Sequence, residues 1–473
     1  MKPSAQRQAS RKRGKASDPQ ASDPQAPDPQ APDPRAPDPR APNPRAVTLR
    51  VLAAVLRRYR PLDDVLASDG DLARLTPRDR AFTRLLCATV LRRLGQIDAL
   101  IDDSLDRPAK RGFADVRDLL RLGIAQLVFL GTPAHAAVST TLLLARGPRL
   151  AGFKGLLNAV LRRVARDGAN MATAQDAPRL NTPDWLWRAW IAAYGEATTR
   201  AIAEAHASDP PLDITVKSAP LDLPADLEMW AERLGAEVLP TGSLRLRGAG
   251  EVRHLAGYDA GAWWIQDAAA ALPARLLGDV AGQRVIDLCA APGGKTAALA
   301  AAGAEVTAVD LVLARQSRLR DNLARLRLRA KIVTADATVW RPPRPAQAVL
   351  LDAPCTGTGT IRRHPDIAHL KRPRDVAALT HAQDRLLTAA VEMLSPGGLL
   401  VYATCSLQPE EGPARIAALI AGGAPVERIA IQPVEIGGQA KLIDTVGDLR
   451  TLPCHLSAHG GIDGFYACRL RRL

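Results

Sequence analysis

Hydrophobic residues recur every three or four positions through residues 46–166, which is the spacing of a helix with one buried face. The Thr76-Pro77 pair is typical of a helix start, because threonine caps free N–H groups and proline has none to leave unpaired. The pattern predicts an all-α bundle over residues 46–168. Its predicted core faces are formed by Leu52, Val55, Leu56 and Tyr59, by Phe82, Leu85, Leu86 and Val90, and by Val116, Leu119, Leu120, Ile124 and Leu127.

The second half of the chain alternates short apolar runs with helical segments. Residues 261–473 therefore predict an α/β, Rossmann-like domain with a largely parallel, doubly wound sheet. Residues 177–260 mix both patterns and predict a small α+β subdomain, with an alternating strand at 212–217. Further strands are predicted at 305–309, 331–334, 348–351 and 399–404, and long helices at about 312–328 and 377–394.

Residues 1–45 carry no such pattern. Residues 1–15 hold six Lys and Arg and no acid, and residues 16–45 are six proline-containing pentads without a large apolar residue. This composition predicts a disordered basic arm followed by an extended linker. The arm either contacts RNA or only keeps the protein soluble, and the sequence leaves both interpretations open.

Composition narrows the class of protein. The 473 residues carry a net charge of +14, most of it outside the arm and linker, which indicates a polyanionic partner such as nucleic acid. Six scattered cysteines favour reduced thiols in the cytoplasm over a disulfide framework. No apolar run reaches the roughly 18–20 residues of a membrane span, and the N-terminus lacks the apolar segment of a secretory signal.

Residues 285–296 read Val-Ile-Asp-Leu-Cys-Ala-Ala-Pro-Gly-Gly-Lys-Thr. An apolar strand, a turn of small residues and a helix start are typical of loops that bind nucleotide-like cofactors. A phosphate-binding P-loop also ends in Gly-Lys-Thr, but it needs glycine where Cys289 stands, and Pro292 interrupts the loop. The motif therefore indicates an adenosine-containing cofactor and argues against a P-loop.

Polar residues follow the later strands at the edge where open α/β sheets bind ligands. They are Asp310, Asp336, Asp352 with Cys355, and Cys405 with its neighbours Thr404 and Ser406. One such aspartate is often a helix cap, but a series after successive strands favours a site. Neither cysteine lies in a Cys-x-x-Cys pair, so a metal site is poorly supported. An inert core cysteine and a nucleophilic thiolate both remain possible.

Taken together, these motifs resemble the RNA cytosine-5 methyltransferases that use S-adenosylmethionine. The resemblance rests on residues 287–296, Asp310, Asp336, 352–355, 402–406 and 463–467. Residues 75–80, 133–138 and 158–163 resemble the NusB-type RNA-binding domain. Over residues 46–473 the chain thus resembles the bacterial 16S ribosomal RNA cytosine-5 methyltransferases of the RsmB/Fmu/Sun type.

The resemblance implies a role for each motif residue. Cys405 would attack carbon 6 of cytosine, Cys355 would remove the proton from carbon 5, and Asp352 would position the base. Asp310 would bind the ribose hydroxyls and Asp336 the adenine edge. We expect RNA, most simply 16S ribosomal RNA, as substrate, no metal, no membrane and a monomer. The cofactor, S-adenosyl-L-methionine, would be held by Cys289, Ala290, Ala291, Pro292, Gly293, Gly294, Lys295, Asp310, Asp336 and Asp352.

Some positions and alternatives stay open at this point. Thr356 stands where the family commonly has serine, and residues 410–412 read Glu-Glu-Gly in place of Glu-Glu-Asn. The same chemistry on tRNA or another RNA, or an inactive RNA-binding assembly factor, are the alternative functions. Retention of both cysteines argues against the inactive factor. Arginines that either contact RNA phosphates or only solvate helix faces are Arg84, Arg92, Arg93, Arg162 and Arg163.

Overall fold

The computed structural model of the protein describes residues 42–105, 113–217, 223–248 and 250–473. The predicted basic arm and nearly all of the pentad linker lie outside the described residues. The first helix begins at Pro44, inside the last pentad, because the Asn43 side chain accepts hydrogen bonds from the backbone N–H groups of Arg45 (2.9 Å) and Ala46 (3.4 Å).

Helices make up the described chain as far as His206, so the helical region extends beyond the predicted 46–168 into the segment predicted as a mixed α+β subdomain. The predicted start at Thr76 is confirmed, since its hydroxyl accepts a hydrogen bond from the Asp79 N–H at 3.2 Å. The helices are α1 (Pro44–Arg58), α2 (Leu62–Ser68), α3 (Gly70–Arg74), α4 (Pro77–Arg92), α5 (Leu94–Ser104), α6 (Ala114–Ile124), α7 (Ala134–Leu144), α8 (Pro148–Ala151), α9 (Lys154–Thr173), α10 (Ala177–Asn181), α11 (Asp184–Tyr194) and α12 (Glu196–His206), with a π-helical turn at Ala125–Phe129.

One hydrophobic core joins α1, α4, α5, α6 and α9, and it contains most of the predicted core residues. Two predictions were wrong. Tyr59 is 61% exposed, because it ends α1 in a left-handed conformation (φ 53°) and its ring lies below the Arg372 guanidinium. Leu85 is 39% exposed, because α4 turns Leu86, Cys87 and Val90 toward the core instead.

A small antiparallel sheet follows the helices. Its strand order is β2-β3-β1-β4, and α13 (Leu223–Leu234) packs on it. An ion pair with no exposed side-chain surface, Arg245 Nε to Asp213 Oδ1 at 2.7 Å, crosses from β3 to β1. The strands are β1 (Leu212–Val216), β2 (Glu237–Val238), β3 (Leu244–Leu246) and β4 (Trp263–Ile265).

The C-terminal sheet has the order β10-β12-β9-β8-β5-β6-β7, with β11 paired to β12. Its predicted strands are confirmed, and they pair in parallel from β9 to β7. The last strands, which the sequence analysis did not predict, add an antiparallel edge. The elements are α14 (Ala268–Arg275), β5 (Arg284–Leu288), α15 (Gly294–Ala301), β6 (Glu305–Asp310), α16 (Leu313–Leu326), β7 (Lys331–Thr334), β8 (Ala346–Asp352), α17 (Ile367–Leu370), α18 (Pro373–Met393), β9 (Leu394–Thr404), α19 (Pro413–Ala421), β10 (Val426–Arg428), β11 (Leu449–Thr451) and β12 (Phe465–Arg472).

The segment after β8 is held by the N-terminal helices. The Leu62 N–H donates to Asp366 Oδ2 at 2.9 Å, and Arg92 Nη2 donates to the Arg362 carbonyl at 2.9 Å. His369 Nε2 lies 2.8 Å from the Leu91 carbonyl oxygen. Residues 42–473 consequently form one compact unit. Among the described helices, none has both the length and the apolar character that a bilayer crossing requires.

Candidate active site

The loop between β5 and α15 has the predicted strand–turn–helix arrangement. Gly293 has a φ of 102°, and a Cβ there would lie 3.0 Å from Leu319 Cδ1, so both conformation and space favour glycine. Gly293 immediately precedes α15, whose first N–H groups have no partner within the helix. The backbone of this loop is therefore open to a ligand.

A cavity of about 510 Å³ lies along this loop, within the range of small-molecule sites. It extends from the loop to Asp352 and Cys405 on one side, and to Trp264 and Gln266 next to the small sheet on the other. The structure therefore brings the cofactor loop together with two of the three predicted catalytic residues. The loop residues in its wall are Ala290, Ala291, Pro292, Gly293, Gly294 and Lys295.

Asp310 and Asp336 are not part of the cavity wall. The buried Asp310 carboxylate accepts hydrogen bonds from the backbone N–H groups of Ala291 (3.1 Å) and Val312 (2.9 Å), and so ties the end of β6 to the loop. Asp336 is exposed, and hydrogen bonds from the Thr338 hydroxyl and N–H lower the pKa of its carboxyl. Of the two, Asp310 alone contacts the loop.

Lys295 and Asp352 form an ion pair in the cavity wall, with Nζ 2.6 Å from Oδ2. Burial disfavours the charge on Lys295, but the Asp352 carboxylate outweighs burial and raises the pKa of the ammonium. The Phe465 ring lies below the same ammonium at 5.2 Å. Lys295 thus has a second partner besides the predicted cofactor, and its contact fixes the Asp352 carboxylate.

The thiols of Cys355 and Cys405 are neighbours, with a distance of 3.4 Å between the two Sγ atoms. Cys405 lies in the cavity wall, and Cys355 lies behind it. The contact with Cys405, followed by burial and nearby negative charge, raises the pKa of the Cys355 thiol well above its usual value. Cys355 is therefore a protonated thiol when both sulfurs are unreacted.

A buried carboxylate lies behind the two cysteines. Glu411 Oε1 accepts a hydrogen bond from the Thr356 N–H at 2.9 Å, and Oε2 accepts one from the Ser406 hydroxyl at 2.6 Å. In the sequence, Glu411 belongs to the Glu-Glu-Gly stretch at 410–412, and no motif assigns it a role. The packing around Gly412 favours glycine over the asparagine that is common in the family, because a Cβ there would lie 3.0 Å from the Tyr466 ring.

A buried cluster of two arginines and two aspartates contributes to another part of the cavity wall. Arg362 Nη2 lies 2.7 Å from Asp267 Oδ2, and its Nε lies 2.6 Å from Asp463 Oδ1. Arg363, part of the cavity wall, contacts the same two carboxylates. The cluster joins the start of α14 to the segment before β12. Only Asp463 had a sequence signal, as part of the 463–467 motif.

Comparison with known proteins adds independent information. Residues 274–471 match the model of the family described as 16S rRNA methyltransferase RsmB/F, and residues 42–166 match that of the NusB family. The chain is 38% identical to ribosomal RNA small subunit methyltransferase B of Pseudomonas putida, over 90% of this chain and 97% of that protein. The protein of the same name from Xylella fastidiosa is 36% identical over 90% of this chain and 99% of its own length.

Solved structures agree on the fold. The crystal structure of PH0851 superimposes with a TM-score of 0.66 at 20% identity, covering 91% of this chain and 99% of that one. NSun6 from Pyrococcus horikoshii gives a TM-score of 0.51 at 20% identity, over 61% of this chain and 98% of its own. At this identity, both comparisons speak for the fold alone.

Proposed function

The chain belongs to the RsmB/F family of 16S ribosomal RNA methyltransferases, and we propose that it methylates carbon 5 of a cytosine in that RNA. Its methyl donor is S-adenosyl-L-methionine. The observation that carries the proposal is the pair of thiols, 3.4 Å apart, at the cavity that contains the cofactor loop. Methylation at a ring nitrogen or a hydroxyl needs no thiol, whereas carbon 5 of cytosine is a poor nucleophile until a nucleophile adds to carbon 6.

The residues around the loop fit this cofactor. Asp287 Oδ1 is buried without a hydrogen-bond partner among the described residues, and Asp287 lines the cavity, so a ligand ammonium group would pair with it. The loop from Cys289 to Lys295 would bind the methionine and ribose side. The resemblance assigns the ribose hydroxyls to Asp310 and the adenine edge to Asp336, and these roles require the cofactor to extend past the present cavity wall, which contains neither residue. When bound, S-adenosylmethionine supplies an electrophilic methyl group from its sulfonium.

Cys405 and Asp352 activate and position the cytosine. The Cys405 thiolate adds to carbon 6, and the electron density moved to carbon 5 makes that atom nucleophilic. Asp352, fixed by Lys295, would bind the Watson–Crick edge of the base. A base within a duplex cannot reach this cavity, so the target cytosine must be unpaired or flipped out.

Cys355 completes the reaction. Its raised pKa keeps it protonated while Cys405 attacks, so the two sulfurs do not compete for carbon 6. Once the Cys405 sulfur is bonded to carbon, the contact that raised the pKa of Cys355 most is lost. Cys355 then gives its own proton to solvent, and its thiolate takes the proton from carbon 5 once that carbon carries the methyl group. The electron pair of the C–H bond restores the double bond between carbons 5 and 6, Cys405 leaves carbon 6 as a thiolate, and the methylated RNA is released.

Cysteine variants test this division of roles. We expect C355A, incubated with 16S RNA and S-adenosylmethionine, to accumulate a covalent protein–RNA complex on a denaturing gel. C405A should form neither this complex nor methylcytosine, because it lacks the nucleophile. Nucleoside mass spectrometry of RNA treated with the native enzyme is the positive control. A complex formed by C405A but not by C355A would contradict the assignment.

The arginines named as candidate RNA contacts differ in their surroundings. Arg84 pairs with Asp63 at 2.7 Å, Arg92 is buried against Asp209, and Arg93 donates to the Ala207 carbonyl. The sequence contains no acidic residue from 119 to 166, and this stretch includes exposed cations without an acidic partner among the described residues. We place the RNA contact of the helical region on these cations: Arg146, Arg149, Lys154, Arg162 and Arg163.

A further inference from the structure

We propose that Glu411 is a positioning residue that fixes the distance between the Cys355 and Cys405 thiols. Its side chain has no exposed surface, and no Lys, Arg or His among the described residues forms an ion pair with it. Burying a carboxylate without a cation is costly unless hydrogen-bond donors surround it. The identity of those donors indicates what the carboxylate does.

The donors come from both cysteine loops. Thr356 directly follows Cys355 and donates its N–H to Oε1 at 2.9 Å and its hydroxyl to Oε2. Ser406 directly follows Cys405 and donates its hydroxyl to Oε2 at 2.6 Å. One carboxylate thus bridges two chain segments that are 50 residues apart in sequence, at the positions next to the reacting sulfurs.

A third contact extends the bridge to α18. Gln383 Nε2 donates to Glu411 Oε1 at 3.3 Å and to the Pro354 carbonyl at 2.9 Å, so the residue before Cys355 is held as well. The Gly359 N–H donates to the Cys405 carbonyl at 2.9 Å, a direct link between the two loops that does not involve Glu411. Removing the carboxylate should therefore loosen the loops without unfolding the sheet.

A glutamine side chain cannot reproduce the hydrogen bonds that this carboxylate accepts. Oε1 receives two N–H donors, so a glutamine side chain must direct its oxygen there and its NH₂ toward the two hydroxyls. The Ser406 hydroxyl already accepts the Gln408 N–H at 3.0 Å and would have to accept a second donor. Glu411→Gln keeps the size of the side chain but reverses the hydrogen bonds that fix Ser406 and Thr356.

The test compares E411Q with the matched control E410Q, since Glu410 is the exposed neighbour. Phenylarsine oxide reports the distance between the sulfurs directly: two thiols on one arsenic form two As–S bonds and release one water. We expect the native protein and E410Q to bind it at this pair, C355A to lose that binding, and E411Q to lose it too.

Kinetics give the second measurement, and this part rests on the proposed function. A misplacement of about 1 Å can lower a rate about a hundredfold, so kcat of E411Q should fall by that order while KM for RNA is unchanged. Calorimetry should show that E411Q binds S-adenosylmethionine as tightly as the native protein does, because the Glu411 carboxylate does not contact the cofactor loop between β5 and α15.

The outcomes separate the two proposals. Native kcat together with native phenylarsine oxide binding in E411Q would overturn the positioning role. If E411Q fails to bind the cofactor, phenylarsine oxide binding by T356V and S406A tests the positioning role instead, because each variant removes one hydroxyl that donates to Glu411. Loss of the dithiol site in both supports the role, and retention in both overturns it. A native enzyme that produces no methylcytosine would refute the proposed function but leave the arsenic result valid.

Discussion

Four carboxylates near the cavity differ in the groups that satisfy them. Asp352 has a lysine, Asp310 has two backbone N–H groups, and Glu411 has hydroxyl and amide donors. Asp287 accepts a hydrogen bond from the Thr296 hydroxyl at 2.5 Å, and its other oxygen has no partner among the described residues. Asp287 is consequently the carboxylate whose protonation should respond most to pH and to a bound cation.

The stability of the cofactor-free protein should reflect this residue. Burial raises the pKa of Asp287 to about 7, against about 4 in an unfolded chain. The folded state thus holds a proton that the unfolded state releases, and its stability falls as pH rises from about 4 to about 7, by as much as about 4 kcal/mol. Because asparagine mimics the neutral acid, we expect D287N to gain stability relative to the native protein between pH 5 and pH 8.

Melting temperatures of both proteins at the two pH values measure the effect. The Tm difference between D287N and the native protein should shift toward the variant at pH 8. A difference that is the same at both pH values would show that Asp287 does not titrate between pH 5 and pH 8.

Some residues of the site could be predicted from the sequence, and others could not, for physical reasons. The adjacency of Cys355 and Cys405 could be predicted, because both follow neighbouring parallel strands at one sheet edge. The role of Glu411 could not, since its partners Thr356 and Ser406 are identified by hydrogen bonds and not by a strand-end position. Tyr59 matched the helical period but fell on the residue that ends α1.

At the scale of elements, the turn after the Cys355 loop packs closely against the residue directly before β12. The two residues in contact are Gly359 and Gly464. The Gly464 N–H donates to the Gly359 carbonyl at 2.8 Å. A Cβ on Gly359 would lie 1.9 Å from the Gly464 carbonyl oxygen, which leaves no room for a side chain. The position of the Cys405 loop therefore depends on two glycines in different elements.

Gly359→Ala should separate these elements. We expect a loss of about 1–3 kcal/mol in the free energy of unfolding, the range of overpacked cores, and lower methylation activity. Gly155→Ala is the matched control, since a Cβ there meets nothing within 4 Å and the site is helical. Its stability should be unchanged or raised by up to about 1 kcal/mol. Urea denaturation measures both, and equal stabilities of the two variants would exclude the clash.

The elements differ in how far sequence predicted them. The parallel strands were found because each is a continuous apolar run between polar turns. The small sheet was placed only roughly, since β2 has two residues and β3 three, too few for a period to register. The antiparallel edge from β10 to β12 depends on pairing between segments about 40 residues apart, which local patterns do not encode.

Over the whole molecule, some arginines form ion pairs with acidic side chains and others have no acidic partner among the described residues. Arg84 and Arg92 on α4 pair with acids, while the arginines from 146 to 163 face solvent without acidic partners among the described residues. Electrostatic contact with RNA phosphates releases counterions, so each true contact contributes to the salt dependence of binding. Salt dependence therefore distinguishes the two groups of arginines.

Arg162→Ala should weaken RNA binding and reduce the slope of log K against log salt by about 1. Arg84→Ala removes the same charge from a residue engaged with Asp63, and we expect its slope to equal that of the native protein. Filter binding of 16S RNA at several salt concentrations measures both. A native slope for Arg162→Ala would move the RNA contact away from Arg162.

The hydrogen bond between Leu62 and Asp366 also sets an order of events on the ribosome. Its partners are 304 residues apart, so at roughly 5–20 residues per second Asp366 is synthesised about 15–60 s after Leu62. The helical region can complete its own core during that time, but the segment after Cys355 has to wait for β12 before Gly359 finds Gly464. A nascent chain of this protein therefore completes the contacts of the segment after Cys355 only after β12 has been synthesised.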